Sequence, residues 1–123
     1  MERKIWEIGK VTARVVELLD TDYSVDAPIY IGDENIEKIK IKHPDDFEKY
    51  GQDIAKIISS PDYIAKHPQD RSIQYVKVYK KENDYVMVAV RVSGGGKLFV
   101  RTLFVMAEEK IFKYWIKNVF KSY

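Results

Sequence analysis

The apolar positions of this chain change period part-way along it, and the change divides helices from strands. Residues 5–8 read as a short strand that Gly9 ends. Thr12 then precedes Val15, Val16, Leu18 and Leu19, whose spacing predicts a helix of about two turns, stopped by the polar run 20–24. Pro28, Ile29, Tyr30 and Ile31 lead directly into Gly32 and predict a strand with a turn behind it. Asp33 is placed to cap a short helix carrying Ile36 and Ile39, which ends near His43 and Pro44. A second helix opens at Pro44, because proline loses no hydrogen bond at a first helical position and Asp45 and Asp46 complement the helix dipole. Phe47, Tyr50, Ile54, Ile57 and Ile58 form one buried stripe along it, and the run 59–62 stops it. Residues 63–71 are polar, contain a second proline and read as loop.

From Ser72 onward the period is two. Ile73, Tyr75, Lys77 and Tyr79 alternate with Gln74, Val76, Val78 and Lys80, and residues 81–84 supply a hairpin turn. The next strand sets Val86, Val88, Val90 and Val92 on one face, with Tyr85, Met87, Ala89 and Arg91 on the other. Gly94, Gly95 and Gly96 provide the positive φ that a hairpin loop needs, and 98–105 returns as a third strand. Ile111, Phe112, Trp115, Ile116, Val119 and Phe120 make a helical stripe opposite Lys113, Lys117 and Lys121, so an amphipathic helix packs its aromatic face on the sheet. The expected class is α+β: N-terminal helices, an antiparallel meander and a C-terminal helix. The length of 123 residues fits one domain, 1–123.

Composition narrows the chemistry. There is no Cys, which excludes disulfides, thiol nucleophiles and Cys-ligated zinc. Twenty-one basic and nineteen acidic side chains leave a net charge of only +2, so any nucleic-acid footprint has to be a local patch. The first twenty residues hold no uninterrupted apolar run, and a cytoplasmic protein with no membrane partner is the simplest expectation. The two His show no H-E-x-x-H spacing, and neither a Walker loop nor a nucleophile-elbow sequence occurs. Gly94-Gly95-Gly96-Lys97 joins two strands instead of opening a helix, which fits a hairpin better than a phosphate cradle.

His43, at the junction Lys42-His43-Pro44 between two helices, is the stronger candidate for proton transfer; its alternative role is to cap the preceding helix. His67 lies in the polar loop and reads as a solvated surface group. Tyr75, Lys77 and Tyr79 share a strand face, and Arg91 sits on the mixed face of the next strand. Arg101 interrupts an apolar strand, where a cation must reach solvent, pair or bind an anion. Alternation puts Arg101 and Thr102 on opposite faces, so only one of them faces a given cleft. Cations beside tyrosines on an open sheet suit RNA, and they equally suit an ordinary solvated face.

Taken in order, Ile8-Gly9-Lys10-Val11-Thr12, Ile29-Tyr30-Ile31, Lys42-His43-Pro44, Ile57-Ile58-Ser59-Ser60-Pro61-Asp62-Tyr63-Ile64 and Val100-Arg101-Thr102 resemble the phage members of the Barnase/EndoU/colicin/RelE-like group. These are small metal-independent ribonuclease domains of phages and integrative elements, often attached to polyvalent or head-morphogenesis proteins. The resemblance implies a fold of helices followed by a four-stranded antiparallel sheet, no cofactor, and RNA as partner, with an inhibitor or phage protein as a possible second one. It implies His43 in the active cleft, with Lys77, Arg91, Arg101 or Thr102 around the phosphate and Lys42, Tyr75 and Tyr79 as substrate contacts. The implied reaction is attack of a ribose 2′-hydroxyl on the adjacent phosphorus. One departure stands out: Lys38 occupies a position where the group carries a further His. An alternative reading is therefore an RNA- or protein-binding module with weak or no catalysis on the same scaffold.

Overall fold

The computed structural model describes residues 3–123. Strand β1 (Ile5–Lys10) leads to helix α1 (Ala13–Leu19), strand β2 (Pro28–Gly32) and helices α2 (Asp33–Lys42) and α3 (Pro44–Tyr50). A 3-10 turn, Gly51–Asp53, precedes helix α4 (Ile54–Ser59) and strand β3 (Tyr63–Lys66). The meander β4 (Ile73–Tyr79), β5 (Asp84–Val92) and β6 (Leu98–Val105) follows, then helix α5 (Glu108–Ile116) and the short strand β7 (Lys121–Ser122). The α+β class, the meander and the helix behind it agree with the sequence reading.

The four-stranded expectation does not hold: one sheet of seven strands runs β1-β2-β6-β5-β4-β3-β7. Every pairing is antiparallel except β2 with β6, where Ile29 and Tyr30 lie beside Leu98 and Phe99. This one parallel contact brings the N-terminal hairpin into the meander's sheet, and no local pattern encodes it.

The valine face of β5 carries the larger core. Val86, Val88 and Val90 pack with Ile73 and Tyr75 of β4, with Val15 and Leu19 of α1, and with Ile54, Ile57 and Ile58 of α4. Each such side chain fully withdrawn from water contributes roughly 1.5–3 kcal/mol. On the opposite face Val76, Met87, Met106 and Phe120 form a smaller core against Tyr63, Tyr85, Phe104, Ile111 and Tyr114. That core covers only part of its face and leaves the rest open beside α2.

Several local expectations need correction. Residues 63–71 do not begin as loop: Ile64 and Ala65 are buried in β3, which pairs with β4 and β7. Four residues flanked by charge carry too little local signal, and the pairing itself supplies the strand. The stripe from Phe47 to Ile58 spans two helices, not one. The 3-10 turn between them lets the Phe47 ring fold under Gly51, where an added Cβ would lie 2.9 Å from Phe47 Cε2. Asp33 is the first residue of α2 and Gly32 is its cap; the Asp33 carboxylate instead accepts the Lys4 amide N–H at 3.0 Å. Helix α5 ends at Ile116 because Asn118 adopts the left-handed conformation (φ 55°), which turns Phe120 back into the smaller core. Ile111 and Tyr114 are its sheet-facing residues, while Phe112 and Ile116 of the predicted stripe are exposed.

Candidate active site

A cleft of about 1110 Å³ lies between α2 and the open face of β4, β5 and β6. Its position follows from the β2–β6 pairing. β2 stops at Gly32 after two parallel registers, and the chain turns directly into α2, which runs along β6 in place of a strand. Helix α3 then fixes the far end of β6, where Asp46 in its first turn accepts the Val105 amide N–H at 3.0 Å. One wall is therefore helical, and the floor is the sheet face bearing Gln74, Met87, Ala89 and Thr102.

His43 stands where α2 passes into α3. Its amide N–H bonds Ile39 O at 2.7 Å and its carbonyl accepts the Phe47 N–H at 2.9 Å, so its backbone ends one helix and begins the next. The backbone thus serves the helix ends while the imidazole lines the cleft. The ring packs on Phe104 of β6 with centroids 5.5 Å apart, and Lys110 of α5 covers the same Phe104 at 5.4 Å.

His67 lines the same cleft from the loop between β3 and β4. Its surface-group reading is too simple, because the imidazole side chain is 29% exposed and is held by its neighbours. Nδ1 accepts the amide N–H groups of Gln69 (3.1 Å) and Asp70 (3.2 Å), so the neutral ring carries its proton on Nε2. Asp70 Oδ1 lies 3.2 Å from Nδ1 and accepts both the Ser72 N–H (2.9 Å) and the Ser72 hydroxyl (2.7 Å). Partial burial alone raises the Asp70 carboxyl, but the two Ser72 bonds and the charges of His67 and Arg91 outweigh it and hold it below the usual carboxylate range. Arg91 reaches Asp70 Oδ2 at 3.7 Å across the cleft wall. Nothing in the local sequence marks this arrangement; an Asp three residues after a His in a turn is the one available hint.

Arg101 and Thr102 both line the cleft, against the expectation that one must turn away. Thr102 pairs with Ala89 while Val100 pairs with Val90, which leaves Arg101 as the extra residue of a β-bulge. A bulge breaks the strict alternation and re-aims the side chain beside it. Lys42 and Lys38 of α2 also line the cleft, and among the described residues neither they nor Arg101 has a carboxylate partner. Among the described residues, seven Lys and Arg side chains line the cleft against three Asp and Glu. Since the whole chain carries only +2, its remaining surface is slightly acidic and the positive charge is concentrated here.

Lys77, Tyr75 and Tyr79 are not brought to this cleft. Tyr75 pairs with Val88 and Lys77 with Val86, which places all three on the valine face. Tyr75 is buried, and its hydroxyl has no hydrogen-bond partner among the described residues. Tyr79 donates to Asp53 at 2.7 Å, and Lys77 donates to the Ser60 carbonyl at 2.8 Å. Among the described residues no group of three or more His, Asp or Glu side chains is arranged to hold a metal ion, and no helix is long and apolar enough to cross a membrane.

Residues 7–113 match the family model described as phage-Barnase-EndoU-ColicinE5/D-RelE like nuclease 3. No curated protein and no solved structure matches the chain.

Proposed function

The chain belongs to the phage-Barnase-EndoU-ColicinE5/D-RelE like nuclease family, and on that premise we propose that it is an endoribonuclease which cleaves RNA by 2′-hydroxyl transesterification without a metal ion. The observation that carries the reading is that two imidazoles and a surplus of cations line a single cleft. A base removes the 2′-hydroxyl proton, the oxygen attacks the adjacent phosphorus, and an acid protonates the departing 5′-oxygen. The products are a 2′,3′-cyclic phosphate and a 5′-hydroxyl.

His43 suits the base, because among the described residues its ring has no hydrogen-bond partner and is held only by packing on Phe104. His67 is assigned the acid as the second imidazole that lines the cleft, fixed in its turn by the Gln69 and Asp70 amides on Nδ1. Each such transfer contributes about 10²–10⁴-fold. Arg101, Lys42 and Lys38, which have no carboxylate partner among the described residues, suit the extra charge on the phosphorane, with the Thr102 hydroxyl as a further donor. Lys38 thus keeps a role in the cleft as a cation, and His67 supplies a second imidazole from elsewhere in the chain.

The test is cleavage of end-labelled RNA in EDTA by the wild type beside His43→Ala and His67→Ala. Cleavage by the wild type alone, leaving cyclic phosphate ends, is the expected result. Loss of cleavage in EDTA that added divalent cation restores would overturn the metal-free route. A folded wild type that binds RNA and never cuts it would leave the binding module as the function.

A further inference from the structure

Beyond the cleft, the same sheet face continues across β6 to β2. Register partners share a face, so Tyr30 lies beside Phe99, which in turn lies opposite Arg91. The Tyr30 and Phe99 rings pack at 5.8 Å between centroids and a 40° tilt. Phe99 lines the cleft itself, whereas Tyr30 lines a second hollow of about 420 Å³ between the α1–β2 loop and the β5–β6 hairpin. The ammonium of Lys97 rests over the Tyr30 ring at 5.4 Å. Because of the bulge, Phe99 and Thr102 lie opposite residues only two apart on β5, about 7 Å along the strand, within reach of a nucleotide neighbouring the scissile phosphate.

We infer that Tyr30, with Phe99 and Lys97, is a stacking platform for a nucleobase outside the scissile pair, which makes single-stranded RNA the substrate class of the cleft. The inference rests on the ribonuclease reading. Three observations favour this occupant. The platform is continuous with the cationic cleft through Phe99. Its lone cation sits on an exposed hairpin, free to leave the ring for a strand phosphate when a base takes its place. A duplex would present no unstacked base to the ring, whereas a single strand does. Asp22, also in the hollow, is engaged with Arg71 at 3.1 Å, so base-edge contacts fall to the Ser24 hydroxyl and backbone. Weak edge readout beside a ring gives binding that tolerates sequence.

The experiment compares a dinucleotide with a hexanucleotide, as cleavable RNA and as uncleavable 2′-O-methyl probes labelled with fluorescein. Tyr30→Ala is expected to weaken hexamer binding, and kcat/KM on hexamer RNA, by about tenfold while leaving the dinucleotide unchanged. Tyr30→Phe, which keeps the ring, is expected to behave as wild type and controls for folding. Cleavage with no length-selective effect of Tyr30→Ala overturns the platform and leaves the ribonuclease intact. Length-selective, Tyr30-dependent binding without cleavage upholds the platform and removes the ribonuclease reading. A wild type that neither binds nor cuts RNA overturns both. Affinity for a polyglutamate peptide in place of the oligonucleotide would give the face to an acidic protein partner and overturn the assignment.

Discussion

Replacing Arg101 by Ala, with Lys77→Ala as its control, separates a built cleft from a merely basic protein. Both changes remove one positive charge from the sheet region. Arg101 is the extra residue of the β6 bulge, lines the cleft and has no carboxylate partner among the described residues. Lys77 lies on the opposite face and is tied to the Ser60 carbonyl at 2.8 Å. A guanidinium about 4 Å from a phosphorane oxygen contributes about 1–4 kcal/mol between water-like and protein-surface dielectric. A value of about 2 kcal/mol corresponds to roughly a 30-fold loss of rate. Because Arg101 is exposed and forms no ion pair among the described residues, its loss costs stability about 0.5 kcal/mol at most. That is about 2 °C in Tm for a domain of this length. Single-turnover cleavage across a salt series reads both effects. For Arg101→Ala the rate falls roughly 30-fold, and the slope of log binding constant against log salt flattens by about 0.7, one single-strand phosphate contact. For Lys77→Ala both stay near wild type. Equal losses in the two variants would refute the reasoning, since the charge would then act as a diffuse field.

Two further changes test the cores. The buried Tyr75 hydroxyl has no partner among the described residues, so Tyr75→Phe is expected to stabilise the protein by about 1 kcal/mol, raising Tm by about 4 °C with cleavage unchanged. Burial holds this phenol well above its ordinary value. Its contribution is therefore full below the unfolded phenol value near 10 and declines as pH rises above it. Alkaline unfolding followed by circular dichroism is expected to move to higher pH in the variant. Tyr114 donates to Gln74 Oε1 at 2.8 Å, anchoring α5 on the cleft floor. Tyr114→Phe removes the donor and is expected to cost about 1–2 kcal/mol, seen as a lower midpoint of urea denaturation.

Much of the fold is legible in the sequence because period reports burial. The alternating valines of β5 and the glycines behind them announce a hairpin by themselves, and Lys42-His43-Pro44 announces two helices meeting at a histidine. What escapes the sequence is non-local. The pattern around Ile64 and Ala65 is too short to declare a strand, and β3 exists through its pairing with β4. The parallel contact of Ile29 and Tyr30 with Leu98 and Phe99 joins residues far apart in the chain, and α2 lies over the sheet because of it. The tyrosines and Lys77 of β4 illustrate the complementary error: residue types suited to RNA lie on the face that the larger core occupies.

The bulge at Arg101 shows why a site can depart from the rule that builds its scaffold. Strict alternation along β6 cannot keep Val100 and Leu103, three residues apart and both wholly buried, on one face; counted back from Leu103 it would also send Arg101 into that core, where an unpaired guanidinium would be costly. One extra residue resolves that conflict. It keeps Val100 and Leu103 in the larger core opposite Val90 and Val88, and gives Arg101 a place beside Thr102 at the cleft. The same residue disturbs the ladder where α2 has replaced the neighbouring strand, so no strand pairing on that side is lost. An insertion unfavourable in the middle of a sheet is tolerated at this boundary, and the boundary is also where Lys38, Lys42 and His43 approach from the helix. The arrangement that concentrates cations and the arrangement that lets the sheet end are therefore one feature of the fold. Deleting Arg101 closes the ladder while keeping Thr102 opposite Ala89 and Phe104 opposite Met87, so it is expected to cost about the same activity as Arg101→Ala in single-turnover cleavage; a much larger loss would show that the bulge itself, and not only the guanidinium, shapes the cleft.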